Sequence, residues 1–148
     1  REHIANYLNK GLSGLSGIRL PIQRESTRPV FYMYQMRFDS KQVGITRELF
    51  AKALVAEGFP TFTGYLAPLY LLPIFQKKLA LGKDGWPFTQ TNRSYEKGLC
   101  PVAERLYEKE LLGFDCCCQK ITDSDLDQLI TAFKKVYFNK DQLINYNL

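Results

Sequence analysis

Residues 29–38 read PVFYMYQMRF and form the clearest β-strand pattern in the chain. Successive side chains of a strand point to opposite faces, so alternate residues share a face. One face of this segment carries Tyr32, Tyr34, Met36 and Phe38. The other face is also mostly apolar, which is typical of a strand inside a sheet with cover on both sides. We therefore expect Tyr32 and Tyr34 to be buried.

A helix and a second strand follow this segment. Thr46 is a suitable N-cap for a helix over residues 46–57, and Gly58 is placed to end it. Apolar residues recur at helical spacing between them and include Leu54. Residues 60–65, PTFTGY, then predict another strand.

The next part of the chain is irregular. Prolines interrupt the apolar residues 66–75, and a short helix is predicted over 76–81. Residues 82–99 show no period, and a polar loop of this length is usually functional or mobile. Pro101 suits the first position of a helix that we expect to run to about Leu112 and end at Gly113, before a short strand over 114–118.

The last helix has the clearest boundary. Thr122 and Asp125 match a capping box, and an apolar stripe follows them at helical spacing. We expect the buried core to include side chains from three helices, namely Leu54, Leu106, Leu126, Ile130 and Phe133. The order of elements predicts an α+β fold, in which helices pack on a small antiparallel or mixed sheet of three to four strands.

The first residues already show helical spacing. Ile4, Leu8 and Leu12 recur every four positions, with no capping residue before them. We therefore expect the natural chain to extend upstream of Arg1. A domain taken from a larger protein exposes apolar area where its partner packed, and we expect such area on the opening helix and on residues 66–75.

Composition argues against several classes of protein. The net charge is +5, but the longest basic runs are pairs, which is typical of a solvated surface, so we expect no nucleic-acid partner. The longest apolar stretch is far shorter than the roughly 20 residues that span a bilayer, so we expect no membrane association. With four cysteines, three of them consecutive, and a single His, we expect free thiols in a reducing cytoplasm and no metal site.

Residue types for catalysis are scarce as well. His3 leaves little scope for a nucleophile paired with a base. Glu104 and Glu108 are four residues apart, which is the spacing of a solvated helix face. We therefore expect no catalytic residue in this chain.

Six segments match one family in order and spacing, although no single segment is specific. They are GLSGIRLP at 14–21, VFYMYQMR at 30–37, TRELFAKALVAEG at 46–58, GYLAPLY at 64–70, CPVAERL at 100–106 and TDSDLDQL at 122–129. Together they resemble the C-terminal domain of the DegT/StrS family of sugar aminotransferases. Two of them, GYLAPLY and CPVAERL, resemble the branch of the family that aminates keto-cyclitols and related keto-sugars.

The resemblance implies that a large domain binds the cofactor and that a separate small domain covers the substrate. Such enzymes hold pyridoxal phosphate as a Schiff base on a Lys of a large domain, so residues 1–148 would be the small domain, inactive alone and without cofactor-binding residues. It implies that this domain covers the substrate cleft and supports a homodimer. It also implies substrate contacts near Tyr65. Because Tyr65 and Tyr70 flank a proline-containing turn at a strand end, we expect both to contact the substrate, with Trp86 on the long loop as a flat apolar wall, although Tyr65 and Tyr70 could equally be core aromatics.

The sequence departs from the family at two places. Gly64 stands where the family has a His, which removes a polar contact to the sugar, and residues 114–117, FDCC, stand where relatives often have Leu-Pro-His. Two alternative functions fit the residues without the resemblance. One is an independent, non-catalytic α+β module that binds a ligand, and the other is a basic nucleic-acid-binding domain.

Overall fold

A computed structural model describes residues 1–82, 84–117 and 120–145. Its main elements, in chain order, are α1 (Glu2–Leu12), β1 (Ile18–Arg19), β2 (Tyr34–Phe38), α2 (Ser40–Val43), α3 (Arg47–Ala56), β3 (Thr61–Thr63), α4 (Pro73–Gln76), α5 (Pro101–Arg105), β4 (Leu111–Phe114), α6 (Asp123–Phe138) and α7 (Lys140–Leu143). Single 3-10 turns occur at Leu69–Leu71 and Phe88–Gln90. In these ranges, every helix is too short or too polar to cross a membrane.

The four strands form one antiparallel sheet in the order β1-β2-β4-β3. Tyr34 pairs with Phe114 across β2 and β4, and Thr63 pairs with Leu112 across β3 and β4. The predicted α+β class, with a small antiparallel sheet and helices packed on it, is confirmed. β2 lies inside the sheet, as the segment 29–38 predicts.

The core lies between one face of the sheet and the helices α1, α3 and α6. The ring of Phe50 from α3 lies 5.1 Å from that of Phe38 and 5.0 Å from that of Phe133, measured between centroids. Of the side chains expected in the core, five are buried: Tyr34, Leu54, Leu126, Ile130 and Phe133. A fully buried phenylalanine such as Phe50 or Phe133 stabilises a fold by about 3–5 kcal/mol relative to Ala.

The strand predicted over residues 29–38 is shorter in the structure, where it is β2. β2 begins at Tyr34 rather than near residue 29, and Tyr32 is 59% exposed, so its predicted burial is wrong. Phe31 has a φ of +42°, which turns the chain out of the extended conformation just before Tyr32. The outer face of β2 is also less covered than predicted, because Arg37 is exposed there.

The helix from Pro101 ends earlier than predicted. α5 stops at Arg105 and continues as a π-helix over Leu106–Glu110, and β4 then begins at Leu111. The strand predicted over 114–118 therefore starts three residues too late, and its residue 118 lies outside the described ranges. Leu106, expected in the core, is only half-buried.

Gly113 lies within β4 instead of ending a helix. A Cβ atom on Gly113 would lie 2.4 Å from the Phe62 ring and 2.8 Å from the Tyr34 carbonyl oxygen. Both neighbours belong to adjacent strands. The residue is therefore a point of close strand packing, which local sequence does not reveal.

A buried arginine holds the end of the π-helix. The Arg47 guanidinium donates to the carbonyl oxygens of Tyr107 at 2.9 Å, Glu108 at 2.8 Å and Leu111 at 3.1 Å. It also contacts the Glu48 carboxylate at 2.6 Å. Carbonyls at the end of a helix have no partner within it, and here a side chain from α3 supplies one.

The predicted caps are confirmed. Thr46 accepts a hydrogen bond from the Leu49 amide at 3.2 Å, and Thr122 and Asp125 form the full capping box of α6. Gly58 follows α3 with a φ of +94°. The short helix predicted over 76–81 lies earlier, as α4, because Pro73 is at its first position.

The opening helix is not a bare apolar surface. Leu8 and Leu12 of α1 are fully buried, and α1 packs against α6. The expectation that this helix exposes apolar area is therefore wrong. The same expectation for residues 66–75 is confirmed, because Leu66 and Leu69 are about two-thirds exposed.

Candidate functional site

The candidate site begins where the chain leaves the edge strand β3. From here to the start of α5, the described residues 64–82 and 84–100 form what we call the excursion. Gly64 has a φ of +77° and Tyr65 a φ of +67°, so both adopt the left-handed conformation. The Gly64 amide donates to the Leu111 carbonyl at 2.9 Å, which fixes the turn against β4.

Packing explains the glycine at position 64. A Cβ atom there would lie 2.5 Å from the Tyr107 carbonyl oxygen and 2.9 Å from its ring. A side chain at this position would therefore meet backbone in addition to an unfavourable φ. The π-helix that contains Tyr107 and the glycine at 64 thus fit each other, and His at this position would not fit this backbone.

Tyr65 lies at the surface beside two other aromatic residues. It is 43% exposed, and its ring centroid lies 6.4 Å from that of Tyr32 and 5.7 Å from that of Phe62. We call these three residues the aromatic cluster. A hydrogen bond with Tyr32 raises the pKa of the Tyr65 phenol, and Asp115 nearby raises it further. The Tyr65 phenol is therefore a neutral hydrogen-bonding group at neutral pH.

Tyr70 has a different environment. It is buried, and its hydroxyl donates to the Glu104 carboxylate while accepting from the Cys100 amide at 3.3 Å. Desolvation, followed by the hydrogen bond to Glu104, raises the pKa of the Tyr70 phenol. The hydroxyl of Tyr70 is thus engaged within the chain.

Glu104 is a residue of the candidate site whose environment the sequence did not indicate. The expectation of a solvated helix face is wrong, because Glu104 is buried and also accepts from the Gly98 amide at 2.6 Å. The hydrogen bond from Tyr70 holds the pKa of Glu104 below its ordinary value, helped by the Gly98 and Cys100 amides and by Lys97. The carboxylate therefore ties the two ends of the excursion together.

A second set of contacts keeps the middle of the excursion folded. The Gln76 side-chain amide donates to the carbonyl oxygens of Tyr70 at 2.7 Å and Tyr95 at 2.6 Å. The rings of Phe75, Phe88 and Tyr95 pack with centroids 5.5 to 5.8 Å apart. The predicted irregular segment is therefore an ordered unit with its own aromatic packing.

Trp86 lies on a turn of the excursion and is 51% exposed. Its carbonyl accepts from the Leu81 amide at 3.0 Å. Across the part of the chain that the structure describes, no ring contact or hydrogen bond joins Trp86 to Tyr65 or Tyr70. Trp86 thus shares one segment with the other two predicted substrate contacts but is not joined to them, and Tyr65 is paired with Tyr32, which the sequence did not suggest.

The excursion also exposes much apolar area. Large apolar side chains at least about half exposed recur along it, at Leu66, Leu69, Ile74, Leu79, Leu81, Trp86 and Leu99. We call these residues the excursion surface. Soluble domains seldom expose contiguous apolar patches, and such surface usually marks a contact with another chain or domain.

The described residues offer phenols, flat aromatic surfaces and one buried carboxylate. They contain no group of three or more His, Cys, Asp or Glu placed to hold a metal ion. Cys116 and Cys117 are buried free thiols and Cys100 is an exposed one. Cys118 lies outside the described ranges. This set of groups can bind and position a polar ligand.

Comparison with known proteins gives matches along nearly the whole chain. No family model matches. An uncharacterized protein of Methanocaldococcus jannaschii is 26% identical over 136 residues, which are 92% of this chain and 31% of that protein. The dTDP-3-amino-3,4,6-trideoxy-alpha-D-glucose transaminase of Streptomyces venezuelae is 35% identical over 71 residues, 48% of this chain and 17% of that enzyme.

Solved structures share the fold. The S. venezuelae protein DesV, in complex with a ketimine intermediate, superposes with a TM-score of 0.64 at 22% identity, over 92% of this chain and 30% of DesV. The aminotransferase TlmJ of Streptoalloteichus hindustanus gives 0.65 at 22% identity, over 95% of this chain and 31% of TlmJ. A DegT/DnrJ/EryC1/StrS aminotransferase from Brucella abortus gives 0.64 at 20% identity, over 92% and 30%.

The resemblance that the six segments predict is thus confirmed. The chain has the fold of one part of these aminotransferases, and it spans about a third of the length of the proteins that it matches along most of its residues.

Proposed function

We propose that this chain, whose fold and sequence resemble one part of the DegT/DnrJ/EryC1/StrS aminotransferases, is the C-terminal small domain of such an enzyme. The whole protein would transfer an amino group to a keto-sugar or keto-cyclitol. The observation that carries the proposal is that 92% to 95% of this chain superposes on part of solved aminotransferases. The similarity to a sugar transaminase favours a sugar-like substrate.

The cofactor would belong to the other domain. Pyridoxal phosphate supplies an electron sink for transamination and is held as a Schiff base on a Lys. Such a Lys is desolvated so that its pKa falls. Among the lysines that the structure describes, none is buried. The residues present therefore do not fit the cofactor, and we assign it to a large domain upstream of Arg1.

The role of this domain would be to cover the substrate. Tyr65 is exposed at the end of the sheet, next to Tyr32, and its phenol can donate to a substrate hydroxyl. Trp86 would form a flat apolar wall. Tyr70 would contribute less directly, because its hydroxyl is bound to Glu104 and thereby fixes the excursion on which both lie.

The partners would be the large domain and a second copy of the enzyme. The excursion surface supports this assignment, because many exposed apolar side chains on one segment are typical of a surface that another chain or domain covers. We propose a cytoplasmic location, since an exposed free thiol such as Cys100 persists in a reducing compartment.

One observation favours a second candidate. The helices α1, α3 and α6 bury a continuous core without help from another domain. A core of this kind is also what an independent, non-catalytic module that binds a ligand would have.

Measuring amino transfer separates the two candidates. Purified full-length gene product is incubated with pyridoxal phosphate, an amino donor and a panel of keto-sugars and keto-cyclitols, and the amino product is followed by mass spectrometry. We expect turnover by the full-length protein and none by residues 1–148 alone. Absence of turnover across the panel, with specific binding of a ligand by residues 1–148, would support the independent module instead.

A further inference from the structure

A charged groove of about 450 Å³ lies beside the sheet, away from the aromatic cluster. Its lining comes from β1, β2, the chain after β2 and the π-helix. Arg19 of β1 and Arg37 of β2 face each other directly in the antiparallel register. Directly opposed residues share a face of the sheet, and like charges in that position destabilise it unless a counter-charge is present.

One carboxylate provides part of that counter-charge. Glu110 accepts from the guanidinium of Arg37 at 2.9 Å and pairs with that of Arg105 at 2.7 Å. Its side chain is 19% exposed, whereas those of the two arginines are about half exposed. Glu110 thus shares its negative charge between two guanidinium groups, and a third guanidinium, that of Arg19, lines the same groove.

The other acids of the groove are already engaged. Asp39 caps α2 by accepting from the Lys41 and Gln42 amides at 3.0 and 3.2 Å. Glu108 pairs with Lys97, and the Glu48 carboxylate pairs with a guanidinium at 2.6 Å. These acids are therefore occupied by groups other than the arginines of the groove.

Several cations of the groove have no such partner. Arg19, Lys41 and Lys109 all line it and are exposed. Within the described ranges, none of the three forms an ion pair. The groove therefore has a local excess of positive charge, with guanidinium donors arranged along a strand pair.

We propose that this groove binds a small anion carrying at least two negative charges on phosphate or carboxylate oxygens. Guanidinium groups match such oxygens with paired hydrogen bonds, and a lysine adds a point charge. Three unpaired cations favour a multiply charged ligand, and the volume lies within the range of small-molecule sites. The proposal rests only on this groove and is independent of the aminotransferase assignment.

The test uses residues 1–148 and two probes, pyrophosphate and citrate, at constant ionic strength set with NaCl. Binding is followed by calorimetry and by the arginine Nε–H signals in NMR spectra. We expect saturable binding of at least one probe, with shifts of the Arg19 and Arg37 signals. Which probe binds more tightly distinguishes phosphate from carboxylate chemistry.

Variants locate the site. Arg19→Gln removes an exposed guanidinium that has no ion pair in the described part of the chain, so the fold is retained, which the NMR spectrum verifies. It should weaken binding about tenfold, as expected from loss of a charge-assisted hydrogen bond, and Arg19→Lys should recover part of the affinity. Arg24→Gln, an exposed arginine outside the groove, is the matched control and should bind as the parent does.

Three results would overturn the proposal. They are no saturable binding of either probe, equal affinity of the parent and Arg19→Gln, and an equal loss in Arg24→Gln, which would indicate a general effect of net charge.

Discussion

The hydroxyl of Tyr70 donates a hydrogen bond to the buried carboxylate of Glu104, which lies 34 positions further along the chain. The same carboxylate accepts from the Gly98 amide. The contact therefore closes the excursion at its base, because Tyr70 lies near one end and Gly98 near the other. Since Trp86 lies between Tyr70 and Gly98, we expect this pair to hold that proposed substrate contact in place.

Replacing Tyr70 by Phe should loosen the excursion while the core remains folded. The ring is kept, but the carboxylate loses its hydroxyl donor and the Cys100 amide loses its acceptor. We expect hydrogen exchange of the Gly98 and Cys100 amides to accelerate about tenfold, as local opening becomes easier.

Tyr95→Phe is the matched control. Tyr95 packs in the same segment, through its ring and its carbonyl. Its exchange pattern should stay close to that of the parent. Equal protection of Gly98 and Cys100 in the parent and in Tyr70→Phe would show that the hydrogen bond does not hold the excursion.

Stability should fall in acid partly through Glu104. Its pKa is held below the ordinary value of 4.5, first by the Tyr70 hydrogen bond. A carboxyl whose pKa is lower in the folded state stabilises that state above its unfolded pKa and ceases to do so as pH falls through the folded pKa. We therefore expect a loss of unfolding free energy as pH falls below 4.5, the ordinary value.

Urea unfolding at several pH values measures this loss. Glu104→Gln should be less stable than the parent at neutral pH and should show a shallower decline in acid. Glu25→Gln, at an exposed position, should follow the parent curve. A decline of the same steepness in Glu104→Gln and the parent would assign the acid sensitivity to other carboxyls.

Gly64 should tolerate no side chain, in contrast to Gly58. Both have positive φ, +77° and +94°, but a Cβ at Gly64 would meet the Tyr107 carbonyl at 2.5 Å, whereas Gly58 has open space around it. We expect Gly58→Ala to destabilise by about 1 kcal/mol, from φ alone. Gly64→Ala should cost about 2–4 kcal/mol, because overpacking adds to the backbone strain.

Thermal and urea unfolding of the two variants give the comparison directly. The difference between them isolates the contact with Tyr107, since the backbone term is common to both. Equal losses would mean that the π-helix shifts freely away from position 64.

The substrate role of Tyr65 is tested in the full-length enzyme. Tyr65→Phe keeps the ring packing with Phe62 and Tyr32 but removes the hydroxyl. We expect kcat/KM for the keto substrate to fall about 5- to 100-fold with cofactor binding unchanged, as expected when a hydrogen bond to substrate is lost. Tyr107→Phe, in the π-helix, is a matched control. Unchanged kinetics in Tyr65→Phe, with a lower Tm, would assign the phenol to structure alone.

The elements that local signals define were predicted well. α3 and α6 have caps, Thr46 and Thr122, whose hydrogen bonds lie within their own first turns. The burial of Tyr34, Met36 and Phe38 in β2 follows from the alternation of side chains between the two faces of a strand. In each case the stabilising contacts are close in sequence or follow a regular period, so the residues themselves indicate the structure.

What the sequence did not reveal depends on contacts between distant segments. The π-helix and the early start of β4 depend on Arg47, which binds carbonyls about 60 residues away, and on Gly113 beneath Phe62. The burial of Glu104 requires Tyr70. At the candidate site, Tyr65 follows from the family resemblance, but Tyr32 was assigned to the core because the left-handed turn at Phe31 leaves no pattern in the sequence.

We propose that the cofactor is bound outside residues 1–148, by a large domain of the same protein. Borohydride reduction of the full-length protein with pyridoxal phosphate, followed by peptide mapping, locates the modified lysine directly. We predict a pyridoxyl-lysine upstream of Arg1, in a protein that turns over a keto substrate. A specific pyridoxyl-lysine within residues 1–148, accompanied by turnover of that chain alone, would contradict it.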